Sequence, residues 1–183
     1  MSITDAQLAF VPINGNLSLV AGAGVAIPSP IVLDVLGQGV GTAPGNIIGN
    51  VTNFGSDVGV GGITPQIEAI IGVACATVNG ATLNVALQAA PDTGAPGNYL
   101  PGAWTTLEET GPVAVGRLTA GQILARFQFP PAFPANLTPR YYRLLFQTAA
   151  GTSFSAGTVS SAVVTMVRDD QANKFATKNF SVA

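Results

Sequence analysis

Two pairs of adjacent carboxylates are the first candidates for chemistry in this sequence. Glu108-Glu109 and Asp169-Asp170 have the side chains that an acid and base couple or a calcium site would need. Adjacent residues of a strand point to opposite faces, however, and no Asp-x-Asp-x-Asp-Gly spacing or third clustered carboxylate follows either pair. We therefore interpret both pairs as solvated residues of turns or of a rim.

Histidine, the commonest general base, does not occur in the sequence. Its absence removes the Ser-His-Asp and Cys-His arrangements and the usual zinc ligands. The single cysteine, Cys75, can form neither an intrachain disulfide nor a cysteine cluster around a metal, and we interpret it as a small buried hydrophobe. The sequence therefore predicts a protein that is not an enzyme, with no cofactor and no metal. A glycosidase with paired carboxylates is the enzymatic alternative.

Two glycine-rich segments, residues 37–41 and 59–62, superficially suggest phosphate-binding loops. A Walker loop requires Gly-Lys-Ser/Thr, and the sequence has no lysine before Lys174; Gly-x-Gly-x-x-Gly is not matched either. Turns explain these glycines better. The arginines are scattered and the net charge is −2, so the sequence has no basic stripe of the kind that phosphate backbones require. We expect no nucleic-acid partner and no small-molecule substrate.

The deficit of charge is the most informative property of the composition. Of the 183 residues, 48% are apolar and only 9% are charged, against roughly 25% in an ordinary soluble domain. Such a chain either lies in a membrane or hides much of its surface against partners. Two uncharged windows, residues 69–91 and 144–167, are long enough to span a bilayer, but polar residues interrupt both. The N-terminus has no secretory signal. We therefore expect a soluble protein made in the cytoplasm that packs against other subunits.

Period-two alternation between short Gly and Pro breaks predicts an antiparallel all-β sandwich or barrel of about seven or eight strands. The clearest strand is residues 82–89, in which Leu83, Val85, Leu87 and Ala89 share one face. Asn79-Gly80 precedes it and predicts a type I′ turn that places residues 67–78 antiparallel to it as a hairpin. Further strands are predicted at residues 25–35, 113–118, 123–129, 141–148 and 158–167.

Three segments are predicted to lie outside the sheets. Residues 1–24 resemble an extended N-terminal arm, because they combine turn residues with few charges. Residues 91–102 form a turn-rich loop before Trp104, and loops of that length tend to be functional. Residues 171–183 form a polar C-terminal tail. The remaining residues, 25–170, constitute one β-sandwich domain.

Aromatic side chains concentrate in the second half of the sequence. They offer either a sugar-stacking platform or the packing of a core and an interface, and their alternation with the strand period favours packing. The residues concerned are Phe127, Phe129, Phe133, Tyr141, Tyr142 and Phe146.

Over residues 65–170 the order of segments resembles that of the jelly-roll cement, or decoration, proteins of tailed-bacteriophage capsids. The resemblance is carried by five phrases in a fixed order. They are Leu83-Asn-Val-Ala-Leu-Gln88, Trp104-Thr-Thr-Leu-Glu-Glu-Thr-Gly111, Leu118-Thr-Ala-Gly-Gln-Ile123, Arg140-Tyr-Tyr-Arg-Leu-Leu-Phe146 and Ala150-Gly-Thr-Ser-Phe-Ser-Ala-Gly157.

This resemblance implies a jelly roll that assembles, commonly as a homotrimer, on the outer surface of a virion and ties neighbouring major capsid subunits together. The family has no catalytic residues to carry over. Binding hot spots are expected among Trp104, Tyr99, Tyr141 and Arg143. The alternatives are a carbohydrate-binding β-module of a tail or receptor-binding protein and the coat protein of a small jelly-roll virus.

Overall fold

Alternating apolar residues build two β-sheets that pack against each other, so the predicted all-β sandwich is confirmed. The computed structural model describes residues 2–34, 47–48, 66–95, 99–129 and 134–167. In these ranges one 3₁₀ turn occurs, at Val115–Arg117. In chain order the strands are β1 (Ser2–Val11), β2 (Leu17–Ser18), β3 (Ala26–Pro28), β4 (Val32–Asp34), β5 (Ile47–Ile48), β6 (Gln66–Thr77), β7 (Thr82–Ala90), β8 (Thr105–Glu109), β9 (Val113–Ala114), β10 (Ile123–Gln128), β11 (Tyr141–Thr148) and β12 (Phe154–Val167).

The strand order of the two sheets is that of a jelly roll. Sheet 1 has the order β1-β12-β6-β10, and sheet 2 has the order β5-β4-β11-β7-β8. The short strands β2, β3 and β9 pair at the margins, and β5 joins β4 in parallel. The four short strands β2, β3, β5 and β9 can be left out and the other eight numbered one to eight in chain order, namely β1, β4, β6, β7, β8, β10, β11 and β12. In this numbering sheet 1 has the order one-eight-three-six, and sheet 2 has the order two-seven-four-five. The first and last strands are therefore neighbours.

The core lies between the inner faces of the two sheets. Strand β7 contributes Leu83, Val85, Leu87 and Ala89, the face that the period-two pattern predicts, and all four are buried. The aromatic side chains meet edge to face, as their charge distribution favours. The rings of Phe129 and Tyr142 lie 5.2 Å apart at 79°, and those of Phe10 and Phe129 lie 6.4 Å apart at 85°.

The predicted extended arm of residues 1–24 is wrong, because this segment contains strands of sheet 1. Strand β1 pairs antiparallel with β12, with Ser2 opposite Val167. Its end is apolar, and Phe10 and Val11 are buried in the core. Burial of these two side chains favours a strand packed in the sandwich over an extended arm. The sandwich therefore begins at β1 rather than at residue 25, while the predicted tail, residues 171–183, lies outside the described residues.

The predicted hairpin at Asn79-Gly80 is also wrong. Strand β6 belongs to sheet 1 and β7 to sheet 2, so the turn crosses from one sheet to the other. Gly80 has a φ of +66°, but Asn79 lacks the positive φ that a type I′ turn requires. The turn is closed by Thr77 instead, whose Oγ1 accepts hydrogen bonds from the backbone N–H groups of Asn79 (3.3 Å) and Ala81 (2.7 Å).

Two other predicted strands are shorter than expected. The segment 113–118 forms only β9 before the 3₁₀ turn. The segment 25–35 is divided into β3 and β4 at buried Ser29, whose Oγ donates to the carbonyl of Ile31 and accepts from the N–H of Leu144. Strand 141–148 has its predicted bounds, and the last strand begins earlier, at Phe154. No helix within the described residues has the length and hydropathy to cross a bilayer.

Candidate functional site

The outer face of sheet 2 carries an unusual combination of small and large side chains. Because side chains alternate along a strand, Tyr141 and Arg143 of β11 point away from the core. Their partners on β7 are Ala90, opposite Tyr141, and Gln88, opposite Arg143. The small alanine leaves space above the sheet, and the aromatic rings of Tyr99 and Trp104, from the connection between β7 and β8, pack into it.

Arg140 is the centre of this face. It precedes β11, and its backbone N–H donates to the carbonyl of Ala90 (3.0 Å). Its Nε and Nη2 donate to the two carboxylate oxygens of Asp34 (3.0 and 2.9 Å), and its Nη1 donates to Oδ2 of Asp92 (2.8 Å). The Arg140 and Asp34 side chains are only 8% and 1% exposed. The guanidinium therefore joins β4, β11 and the loop after β7 in one buried ion-pair network.

The loop that contains Tyr99 is held in place from both sides. Tyr99 covers the Arg140 guanidinium, whose central carbon lies 4.0 Å from the ring centroid. Within the loop, Oδ1 of Asp92 accepts hydrogen bonds from the N–H groups of Gly94 (2.9 Å) and Leu100 (3.0 Å). The Asp92 carboxylate thus organises the loop and binds it to Arg140 at the same time.

Arg143 forms a second cation–aromatic pair beside the first. Its guanidinium carbon lies 4.2 Å from the ring centroid of Trp104. Its Nε donates to Oε1 of Gln88 (2.9 Å), and Gln88 is oriented in turn by donating to the hydroxyl of Thr106 (3.1 Å) on β8. Three strands and the loop therefore determine the position of one half-buried cation. We call the set Tyr99, Trp104, Arg140 and Arg143 the arginine–aromatic surface.

The two arginines have opposite electrostatic environments. Hydrogen bonds to Asp34 raise the pKa of Arg140, although burial opposes this effect. Burial lowers the pKa of Arg143, and no carboxylate compensates for it among the described residues. Arg140 is therefore a satisfied structural cation, whereas Arg143 is a desolvated cation with remaining capacity to bind an anion.

Tyr141 lies beneath this surface, fully buried against Val32 and Ala90. Its hydroxyl has no hydrogen-bond partner within the described ranges. Burial raises the pKa of Tyr141 to about 12, although the charge of nearby Arg140 acts in the opposite direction. The ring packs against the surface, and the hydroxyl contributes no hydrogen bond to it.

The four residues predicted as hot spots, Tyr99, Trp104, Tyr141 and Arg143, are brought together on this face. Sequence reasoning missed Arg140, Asp34 and Asp92. The available signal was their position: each is a charged residue, in a sequence with few of them, next to the end of an apolar strand segment.

The other candidate residues lie elsewhere. Glu108 and Glu109 are exposed on β8, as interpreted from the sequence, and Glu109 accepts a hydrogen bond from Asn84 (2.9 Å). Cys75 is half-buried rather than buried, and burial raises its pKa to about 11. Within the described ranges, no group of three His, Cys, Asp or Glu side chains could hold a metal ion. Asp169-Asp170 and the glycine-rich segments 37–41 and 59–62 lie outside the described residues.

The alternative of a sugar-stacking platform does not form from the aromatic residues considered for it. Four of the six, Phe127, Phe129, Tyr142 and Phe146, are buried in the core between the sheets. Tyr141 is buried beneath the arginine–aromatic surface, and Phe133 lies outside the described residues. Core packing, the preferred interpretation of the pattern, is confirmed for these four side chains.

The fold and the surface define a jelly-roll β-sandwich whose outer sheet face displays ordered arginine and aromatic side chains. A scan against protein-family models gave no match for the chain, and a search of curated proteins gave none either.

Proposed function

We propose that this protein is a non-enzymatic virion component that decorates an icosahedral phage capsid and stabilises it by bridging neighbouring major capsid subunits. The observation that carries the proposal is the arginine–aromatic surface on sheet 2. Trp, Tyr and Arg dominate the binding energy of protein–protein interfaces, and here they are held in ordered positions before any partner binds.

Two properties of the sequence support the same function. With 9% charged residues, the protein has little of the charged surface that keeps a monomer apart from other proteins. The phrases between residues 83 and 157 resemble those of capsid cement proteins. Their strands fall in a jelly-roll order, an architecture that occurs in viral capsid domains.

The mechanism would be repeated burial rather than one strong site. Each copy contributes moderate contacts with the shell, and self-association into a homo-oligomer, with a trimer favoured, presents several such contacts at once. Binding of the second and third copies then becomes effectively intramolecular, which raises the overall affinity without new contacts. Subunits held in this way separate less readily on heating.

A binding experiment with empty shells tests the function. Purified protein is mixed with phage shells that lack it, and the mixture is sedimented. We expect the protein to sediment with the shells in a fixed ratio to the major capsid subunit and to raise the temperature at which the shells disrupt. A protein that stays in the supernatant at every concentration tested would contradict the proposal.

The jelly-roll strand order also favours a second candidate, the coat protein of a small virus. The same preparation distinguishes the two functions. A coat protein would assemble into closed particles by itself, which electron microscopy and sedimentation would detect. A decoration protein would remain a small oligomer until shells are added.

A further inference from the structure

Arg143 has an incomplete set of partners. Its Nε is bonded to Gln88 and one face of its guanidinium is covered by Trp104. Neither terminal nitrogen, Nη1 or Nη2, makes a hydrogen bond or ion pair to any described residue. The arginine is nevertheless half-buried. A guanidinium has five N–H donors in a fixed fork, so its terminal edge remains free to donate.

The arrangement around Arg143 prepares it for an anion. Arginine binds carboxylates through two parallel hydrogen bonds, and such charge-assisted bonds are stronger where water is partly excluded. Trp104 and Gln88 already restrict the side chain, so little conformational freedom would be lost on binding. Burial has already removed part of the hydration of the cation, which lowers its pKa in the free protein.

Within the described ranges, no carboxylate pairs with Arg143, and three acidic residues of this part of the fold bind other groups. Asp34 and Asp92 both bind Arg140, and Glu109 accepts from Asn84. Besides the polar Gln88, Arg143 has apolar neighbours: the Trp104 ring covers one face of its guanidinium, and Leu145 follows two residues later on the same face of β11. A complementary ligand is therefore a carboxylate flanked by apolar groups.

We propose that Arg143 and Trp104 form a docking site for an Asp or Glu side chain within an otherwise apolar segment of the partner protein. The identification of that partner with the capsid shell rests on the function proposed above. The charge of Arg143 would select the acidic residue, and the Trp104 ring would pack against its apolar neighbours.

Shell binding by matched arginine variants is the first test. Arg143→Gln removes the charge and keeps a polar side chain, and we expect it to bind shells about 30-fold more weakly than the wild type. Arg143→Lys keeps the charge without the two-point geometry and should recover part of the loss. The control is Arg126→Gln, which removes an exposed arginine on sheet 1 and should bind like the wild type. Equal binding by the Arg143→Gln variant and the wild type would overturn the proposal.

The fluorescence of Trp104 gives a test that does not require shells, because Trp104 is the only tryptophan in the sequence. Poly-L-glutamate is titrated into the protein at low salt, with poly-L-glutamine as the uncharged control. We expect poly-L-glutamate to change the emission of the wild type and of the Arg126→Gln variant, but not that of the Arg143→Gln variant. No response in the wild type, or the same response in the Arg143→Gln variant, would refute an acidic docking site.

The two tests separate the possible failures. A fluorescence response without shell binding would support the acidic site and reject the capsid function. Shell binding that is insensitive to Arg143 would support the capsid function and reject this site. The oligomeric state of the Arg143→Gln variant, measured by analytical ultracentrifugation, should equal that of the wild type. A smaller oligomer would show that the occupant is a second copy of the chain and would overturn the assignment to the shell.

Discussion

Arg140 and Asp34, which are 106 residues apart in the sequence, form a two-point ion pair on the outer face of sheet 2. Because both side chains are almost fully buried, each depends on the other for compensation of its charge. The same guanidinium also binds Asp92 and lies under Tyr99. This single arginine therefore connects the stability of the sandwich with the geometry of the proposed docking surface.

Replacement of Arg140 should be strongly destabilising. Arg140→Met keeps much of the volume but removes the cation from two carboxylates, and we expect the free energy of unfolding to fall by about 3–5 kcal/mol in urea denaturation. The matched control is Arg126→Met, since the Arg126 side chain is 58% exposed in its ion pair with Glu68 and should cost at most about 1 kcal/mol. Similar losses for the two variants would contradict the structural role of Arg140.

Asp92→Ala should loosen the loop between β7 and β8 while the sheets remain intact. The variant loses the acceptor for the N–H groups of Gly94 and Leu100 and the contact with Arg140. We expect hydrogen exchange of these two amides to accelerate by at least about 10-fold, as the loss of roughly 1.4 kcal/mol or more of local stability implies. Exchange in β11 should not change. Glu108→Ala, which alters an exposed carboxylate on β8, should leave the loop amides unaffected.

The protein should lose stability in alkali because two of its three tyrosines are buried. Burial raises the pKa values of Tyr141 and Tyr142 to about 12, from an ordinary value of 10. The folded state therefore holds these protons more tightly than the unfolded state, so the stabilisation is complete below pH 10 and is lost as the pH rises toward 12.

Urea denaturation between pH 7 and pH 11.5 measures this effect. Tyr141→Phe should be neutral or stabilising at pH 7, because the Tyr141 hydroxyl has no partner in the described part of the chain, and its stability should fall less steeply above pH 10. A free energy of unfolding that is flat up to pH 11.5 in the wild type would show that the two phenols are not buried in this way.

Gly157 should not tolerate a side chain. Its φ is +140°, and an added Cβ would lie 2.5 Å from Sγ of Cys75 on the neighbouring strand β6. We expect Gly157→Ala to lower the free energy of unfolding by about 2 kcal/mol or more, through backbone strain and overpacking. Gly116→Ala is the matched control, since a Cβ there meets nothing within 4 Å. Equal melting temperatures of the two variants would be inconsistent with this packing.

The crossing between the sheets at residues 77–81 depends on one hydroxyl. Thr77→Val preserves the shape of the side chain but removes the acceptor for the N–H groups of Asn79 and Ala81, of which Ala81 is buried. A loss of about 1–2 kcal/mol in unfolding free energy is expected. Thr119→Val, at an exposed turn, should change stability by less than about 0.5 kcal/mol. A neutral Thr77→Val variant would indicate that the turn closes without its side chain.

Local periodicity predicted the strands better than it predicted their partners. Strands β7 and β11 have nearly the predicted bounds because their apolar alternation is a property of consecutive residues. The pairing of β6 with β12 and β10 is not such a property. Asn79-Gly80 indicates a tight turn. Whether the next strand joins the same sheet or the opposite one depends on how the apolar faces of β6 and β7 are buried.

For the candidate site as well, the individual residues could be predicted from the sequence, but their long-range partners could not. Residue type alone singled out Trp104, Tyr99, Tyr141 and Arg143, because large aromatic and arginine side chains outside a core usually serve an interface. The network around Arg140 was not predictable, since its carboxylate partners lie 48 and 106 residues away and carry no local pattern. Only the folded topology brings them together.

The pairing of β1 with β12 also determines the order in which the protein can fold. The two strands are separated by almost the whole described chain, so their contacts close a very long loop. The entropy cost of closing this loop precedes the favourable contacts of the pairing, which slows folding. During synthesis β1 lacks its antiparallel partner in sheet 1 until β12 has left the ribosome. We therefore expect slow refolding and a need for protection of this strand on nascent chains.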